Sequence, residues 1–191
     1  MTTSQLYSEL NYVDALREKR QFYAQKVIEN PELITNLLEI LFLVDDNISC
    51  KAAWVLEYVC NKNLELIIPH LNAFTTDMQK VHFDSAIRPV AKICELLVKA
   101  YYSKNPNLVK ESLKSNHLER IIEVCFDYMI RDEKVAPKAF AMNTLYHLGH
   151  DYNWIHPELK IILERDFNNQ SAGFKARAKH IIKKMNKNRK S

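Results

Sequence analysis

Glycine is almost missing from this sequence: Gly149 and Gly173 are the two among 191 residues. A phosphate-cradling loop, a hairpin-rich β fold or a glycine-hinged lid each needs more of it. Proline is sparse as well, at six. Both absences point to helices joined by short connections. No Cys-x-x-Cys occurs; Cys50, Cys60, Cys94 and Cys125 all lie inside apolar helical patterns. They read as reduced core side chains and not as a disulfide framework, which suits a cytoplasmic protein. No apolar run approaches the ~20 residues that a membrane span requires. The N-terminal stretch lacks the charged-then-apolar pattern of a secretory signal. Walker, dinucleotide, His-Glu-x-x-His and nucleophile motifs are also missing from the sequence, so it reads as non-catalytic, with no cofactor and no metal.

What is present is helical periodicity. Apolar residues recur at three- and four-residue spacing, and no run of alternating residues bounded by turns competes with them. Residues 1–11 read as a polar, frayed start, and 13–29 as a capping helix with one apolar stripe. Asn30-Pro31-Glu32 looks like a helix start. Asp45-Asp46-Asn47 breaks the next helix and caps the one after it. Further helices are expected over 64–74, 85–103 (Pro89 in its first turn), 117–131, 135–149, 154–167 and 171–186, with a loop and short turn over 104–116. Gly149 should end its helix. Residues 1–186 form one domain in this reading, and 187–191 a basic disordered tail.

One segment recurs. DNISCKAAWVLEYVC at Asp46 has counterparts starting at Asp84, Val135 and Ser171. Each carries an early basic residue: Lys51, Arg88, Lys138, Lys175. The first and last intervals are 37 residues and the middle one is 50, a two-helix repeat period with one insertion. The four cations admit two readings. They could line one face and, with Trp54 and Lys92, hold an acidic partner. Alternatively, with Asp46, Asp84, Glu133 and Gln170 ahead of them, they form a ladder between neighbouring turns.

The net charge of +4 is unevenly spread. Eight Lys/Arg and no acid follow Asp166, which leaves 19 basic against 23 acidic residues up to and including it. The last helix, with Arg177, Lys179, Lys183 and Lys184, is therefore an alternative contact for nucleic-acid phosphates. His147, His150, Asp151 and His156 are the densest cluster of potential ligands. Gly149 ends the helix between the first two histidines and no acid is fixed opposite. They read as histidines capping helix-end carbonyls.

The patterns at Lys51, Lys138–Leu145 and Lys175–Ile182 resemble HEAT-like repeat proteins. That resemblance implies an all-α fold, a right-handed α-α solenoid. Here it would have about four helix pairs plus an N-terminal capping helix, its second helices lining a concave surface. It implies a protein-interaction scaffold, the partner being another protein. Segments such as LNYVDALREKR, VDDNISCKAAWVLEYVC and FKARAKHIIKKM are also similar to short bacterial proteins labelled adenylosuccinate lyase, a label that implies a role in purine biosynthesis. The lyase loop Gly-Ser-Ser-x-Met-Pro-x-Lys-x-Asn-Pro has no counterpart in HLGHD or SAGFK. No active-site residue is carried over from that enzyme.

Overall fold

The computed structural model describes residues 1–14 and 16–188. Within them every regular element is helical. The elements are α1 (Thr3–Leu10), α2 (Arg17–Glu29), α3 (Leu33–Leu41), α4 (Ile48–Lys62), α5 (Leu71–Asp77), α6 (Asp84–Tyr101), α7 (Leu108–Ser112), α8 (Ser115–Ile130), α9 (Val135–Leu148), α10 (Ile155–Asp166) and α11 (Ala172–Asn188). Short 3₁₀ segments at Leu64–His70 and Met78–Lys80 flank α5.

The helices form two rows, an α-α solenoid. In the inner row α2, α4, α6, α9 and α11 each pack on the next. The outer row holds α1, α3, the α5 region, α8 and α10. Contacts are more extensive along the inner row, as in a stack curved with that row inside. The core between the rows is continuous and mainly aliphatic, with Phe74, Tyr128 and Phe174 fully buried in it. All four cysteines are free thiols buried in it. Burial pushes the Cys94 thiol up to about 12, so it packs as an apolar group. None of these helices is long and apolar enough to cross a membrane.

Several expectations shift. Residues 1–11 are not frayed: Thr2 and Gln5 form a reciprocal capping box, and Leu6 and Leu10 are buried. α1 stands ahead of α2 in the outer row, and Lys26 of α2 reaches Glu9 at 2.6 Å. Asn30 closes α2 instead of opening α3; its backbone N–H donates to the Val27 carbonyl and its side chain to that of Lys26. The polar-looking stretch 75–80 is helical, because Thr75 and Met78 turn into the core. The last helix continues through Asn188, two residues into the expected tail, and the rest of that tail lies outside the described residues.

Pro89 is the sixth residue of α6, past the first turn. Its missing N–H leaves the Ser85 carbonyl without its usual intrahelical donor. The indole N–H of Trp54, on α4, donates to that carbonyl at 2.8 Å.

Gly149 does end α9, but with φ −64° and not in the left-handed region. Glycine is needed for close approach: a Cβ there would overlap the His156 ring. His156 sits against the helix end so that its Nε2–H donates to the Tyr146 carbonyl at 2.9 Å. His150 Nδ1–H donates in the same way to the His147 carbonyl. The expected carbonyl caps are therefore present. Among the described residues no three potential metal ligands converge.

His117 clamps the outer row. Its Nδ1 accepts from the Lys114 backbone N–H, and its Nε2–H donates to Asn72 at 2.8 Å. That pattern requires the neutral ring. Burial, then Arg120 and Lys114, holds its pKa below the ordinary 6.5. Burial also lowers His70 and His147.

Two outcomes are expected. Gly149→Ala displaces His156 and should lower unfolding free energy by about 1–3 kcal/mol. Adding His156→Ala to that variant should cost less than the separate effects summed. As pH falls through 6.5 the unfolded chain takes up protons that folded His117, His70 and His147 resist. Urea-unfolding stability should therefore be full above pH 7 and decline toward pH 5.5, less steeply in His117→Asn. A flat profile would contradict this account of His117.

Candidate functional site

The repeat cations are engaged mostly in holding the stack together. Lys51 Nζ donates to the Asn11 carbonyl just past α1, at 2.7 Å. Lys138 was expected on an exposed contact face, and the structure corrects this: it is 3% exposed, its ammonium directed to the Met129 carbonyl in the last turn of α8. Both lysines approach the carbonyl end of an outer-row helix, where the macrodipole favours positive charge. Arg88 makes a two-pronged pair with Glu57 of α4, at 3.0 and 2.6 Å. Lys92 pairs with Glu95 at 2.7 Å and lies over the Phe140 ring at 4.9 Å. Lys175 is half-buried on α11, and its ammonium makes no ion pair among the described residues.

The ladder partners differ from those expected. Asp46 does not meet Lys51. It accepts from the Ile48 N–H and from Tyr7, which hold its carboxyl below the ordinary carboxylate value. Asp84 pairs forward with Lys134, at 3.1 Å. The carboxylates that join inner-row helices are Glu57 and Glu95. Glu95 is 2% exposed and meets Lys92, Lys99 and Asn143 of α9 at 2.7–2.8 Å. Burial alone would raise its pKa; the three hydrogen-bonding partners outweigh it and keep the carboxyl below its ordinary value.

Two adjoining cavities open along α2, α4, α6 and the start of α9, and both are lined by Arg20 and Arg88. The larger, about 540 Å³, adds Arg17, Tyr58, Asn61 and Lys62 to these, with Glu57 as its one acid. The smaller, about 260 Å³, adds Trp54 and Lys134, with Asp84 as its one acid. The Arg20 guanidinium lies 5.6 Å from the ring centroids of both Trp54 and Tyr58. Arg17, Asn61 and Lys62 are exposed. The groove is thus cationic with an aromatic wall, a surface matched to carboxylates or other anions.

Of the expected contact residues, Trp54 and Arg88 are brought to this groove. Lys51 and Lys138 face back into the stack, and Lys92 and Lys175 belong to other helical turns. Arg17, Arg20 and Lys62 were missed, because α2 reads in isolation as a cap. Its arginines three residues apart on one helical face were the available signal. On α11, Arg177 and Lys184 fall on one side, Lys179 and Lys183 on another. Lys179 lies over Phe167 and Lys184 over Tyr146, at 5.6 and 5.3 Å. The four do not make a single track.

A family model described as HEAT repeat domain matches residues 17–185. No curated protein and no solved structure matches the chain. The likeness to short proteins labelled adenylosuccinate lyase is not carried by the family match.

Trp54→Phe removes the donor to Ser85 and should cost about 1 kcal/mol beyond its small packing loss. Arg88→Ala strands the nearly buried Glu57 carboxylate. Because Arg88 is itself partly exposed, its loss should cost roughly 2 kcal/mol in urea unfolding. Glu57→Gln added to Arg88→Ala should restore part of that loss. No recovery would mean Arg88 acts by packing alone.

Proposed function

The chain belongs to the HEAT repeat domain family, and we propose that it acts as a non-catalytic interaction scaffold whose inner-row groove holds an acidic segment of another protein. The observation that carries this reading is the pair of adjoining cavities between α2, α4 and α6. There Arg17, Arg20, Lys62, Arg88 and Lys134 outnumber Glu57 and Asp84, beside Trp54 and Tyr58. Arg20 and Arg88 are held in place by rings and by a carboxylate, so little side-chain freedom is lost on binding. Arg17 and Lys62 at the rim steer an incoming acidic chain. Asn61 and Gln21 offer both donors and acceptors to a peptide backbone.

A scaffold role also suits the chemistry of the groove. Among the described residues that line it, Ser85 is a serine with no histidine beside it, whereas nucleophilic catalysis would need that pairing. The cysteines lie in the core with raised pKa values. A HEAT-type stack offers a long rigid surface, and its function is set by what that surface displays.

The test is fluorescence anisotropy with a labelled glutamate- and aspartate-rich decapeptide at low salt. Arg17→Glu with Lys62→Glu should weaken binding about tenfold while leaving thermal stability unchanged, since both residues are exposed. Equal binding by the double variant, or tighter binding of a single-stranded oligonucleotide of matched charge, would count against an acidic protein segment as the occupant.

A further inference from the structure

The outer row carries a surface of the opposite sign. α8 presents Glu119, Glu123 and Asp127 at four-residue spacing, one line of carboxylates along its outward side. Ile122 and Phe126 run beside them. Phe126 is stacked on Trp154, from the start of α10, with ring centroids 5.5 Å apart and planes 18° from parallel. Trp154 remains 52% exposed. These side chains and Tyr152 enclose an open trough of about 510 Å³ that, among the described residues, no lysine or arginine lines. Among the described residues neither Glu119 nor Glu123 is in an ion pair, whereas Asp127 has Arg131 at 2.8 Å on the rim.

Two unfavourable features remain in the free protein. Like charges four residues apart on a helix repel one another. A stacked indole stands in water beside other apolar side chains. One kind of ligand relieves both: a cation on an apolar stem. A lysine or arginine side chain can lay its methylenes along Phe126 and set its charge over the open face of Trp154.

We infer that this trough is a docking site for a lysine- or arginine-bearing peptide segment of another protein. Charge complementarity selects the class, because the acidic line repels carboxylates and phosphates. Extent favours a segment over a lone amine: Glu119 and Asp127, eight positions apart on α8, are separated by about 12 Å along the helix axis, more than one ammonium covers. The segment therefore carries at least two cations. The site is independent of the inner-row groove, and the scaffold can hold an acidic segment on one row and a basic one on the other.

The probe is a fluorescein-labelled, alanine-based helical peptide with lysine at every fourth position, beside the same peptide with glutamate. Binding is read by anisotropy at low salt, and sedimentation follows the protein alone. The lysine peptide should bind and the glutamate peptide should not. Trp154→Ala, and Glu119→Gln with Glu123→Gln, should each weaken the lysine peptide about three- to tenfold, with circular dichroism unchanged. Arg17→Glu should leave it unaffected, which separates this site from the groove. Lysine-peptide binding indifferent to Trp154→Ala, or absent altogether, overturns the proposal. Glu123-dependent self-association would also overturn it, by giving the trough to the basic α11 of a second copy.

Discussion

The junction between α4 and α6 sets the geometry of the inner row. Pro89 deprives the Ser85 carbonyl of its helical donor, and Trp54 supplies a replacement from the neighbouring helix. One turn further on, Arg88 of α6 reaches back to Glu57 of α4 with both arms. A helix defect and an ion pair thus fix the same two helices at two heights. The arrangement recurs one repeat later, where Asn143 of α9 reaches back to Glu95 of α6. Nonpolar packing supplies most of the attraction between rows. The polar contacts set register, since a helix slipped by one turn would leave Glu57 nearly buried without Arg88 and would take Asn143 away from Glu95.

This use of polar residues shapes what is left for binding. Lys51, Arg88, Lys92 and Lys138 are taken up by carbonyls and carboxylates within the stack. Positive surface remains toward the N-terminal end, on α2 and at the end of α4, where Arg17 and Lys62 are exposed, and on α11, where Arg177, Lys179 and Lys183 are exposed. The outer row at α8 and α10 is acidic and aromatic. The groove between α2, α4 and α6 and the trough on α8 thus differ in charge, and the packed core between the rows holds their spacing.

Much of the architecture was legible along the chain. Helices α3, α4, α6, α8, α9, α10 and α11 follow from apolar spacing, and the 37-residue recurrence of basic residues marks the second helix of a pair. The missed parts share a cause. α1 is short, and its Thr2–Gln5 box and two buried leucines are a weak local signal beside its polar neighbours. Pro89 looked like a first-turn proline because α6 was expected to begin a residue later. Its compatibility with the sixth position depends on Trp54, 35 residues earlier. The groove was only partly visible: Trp54 and Arg88, both expected on a contact face, line the same cavity, but Arg17, Arg20 and Lys62 acquire meaning only once α2 joins the inner row.

Composition, periodicity and the spacing of the basic residues determined by themselves that the chain is a stack of helical hairpins, because scarce glycine and three-to-four-residue apolar spacing leave no other way to bury the core. Which cations face inward and which face water was decided by the tertiary structure. A lysine's reach covers several neighbours, and only the placement of adjacent helices shows whether a carbonyl, a carboxylate or solvent stands at its end.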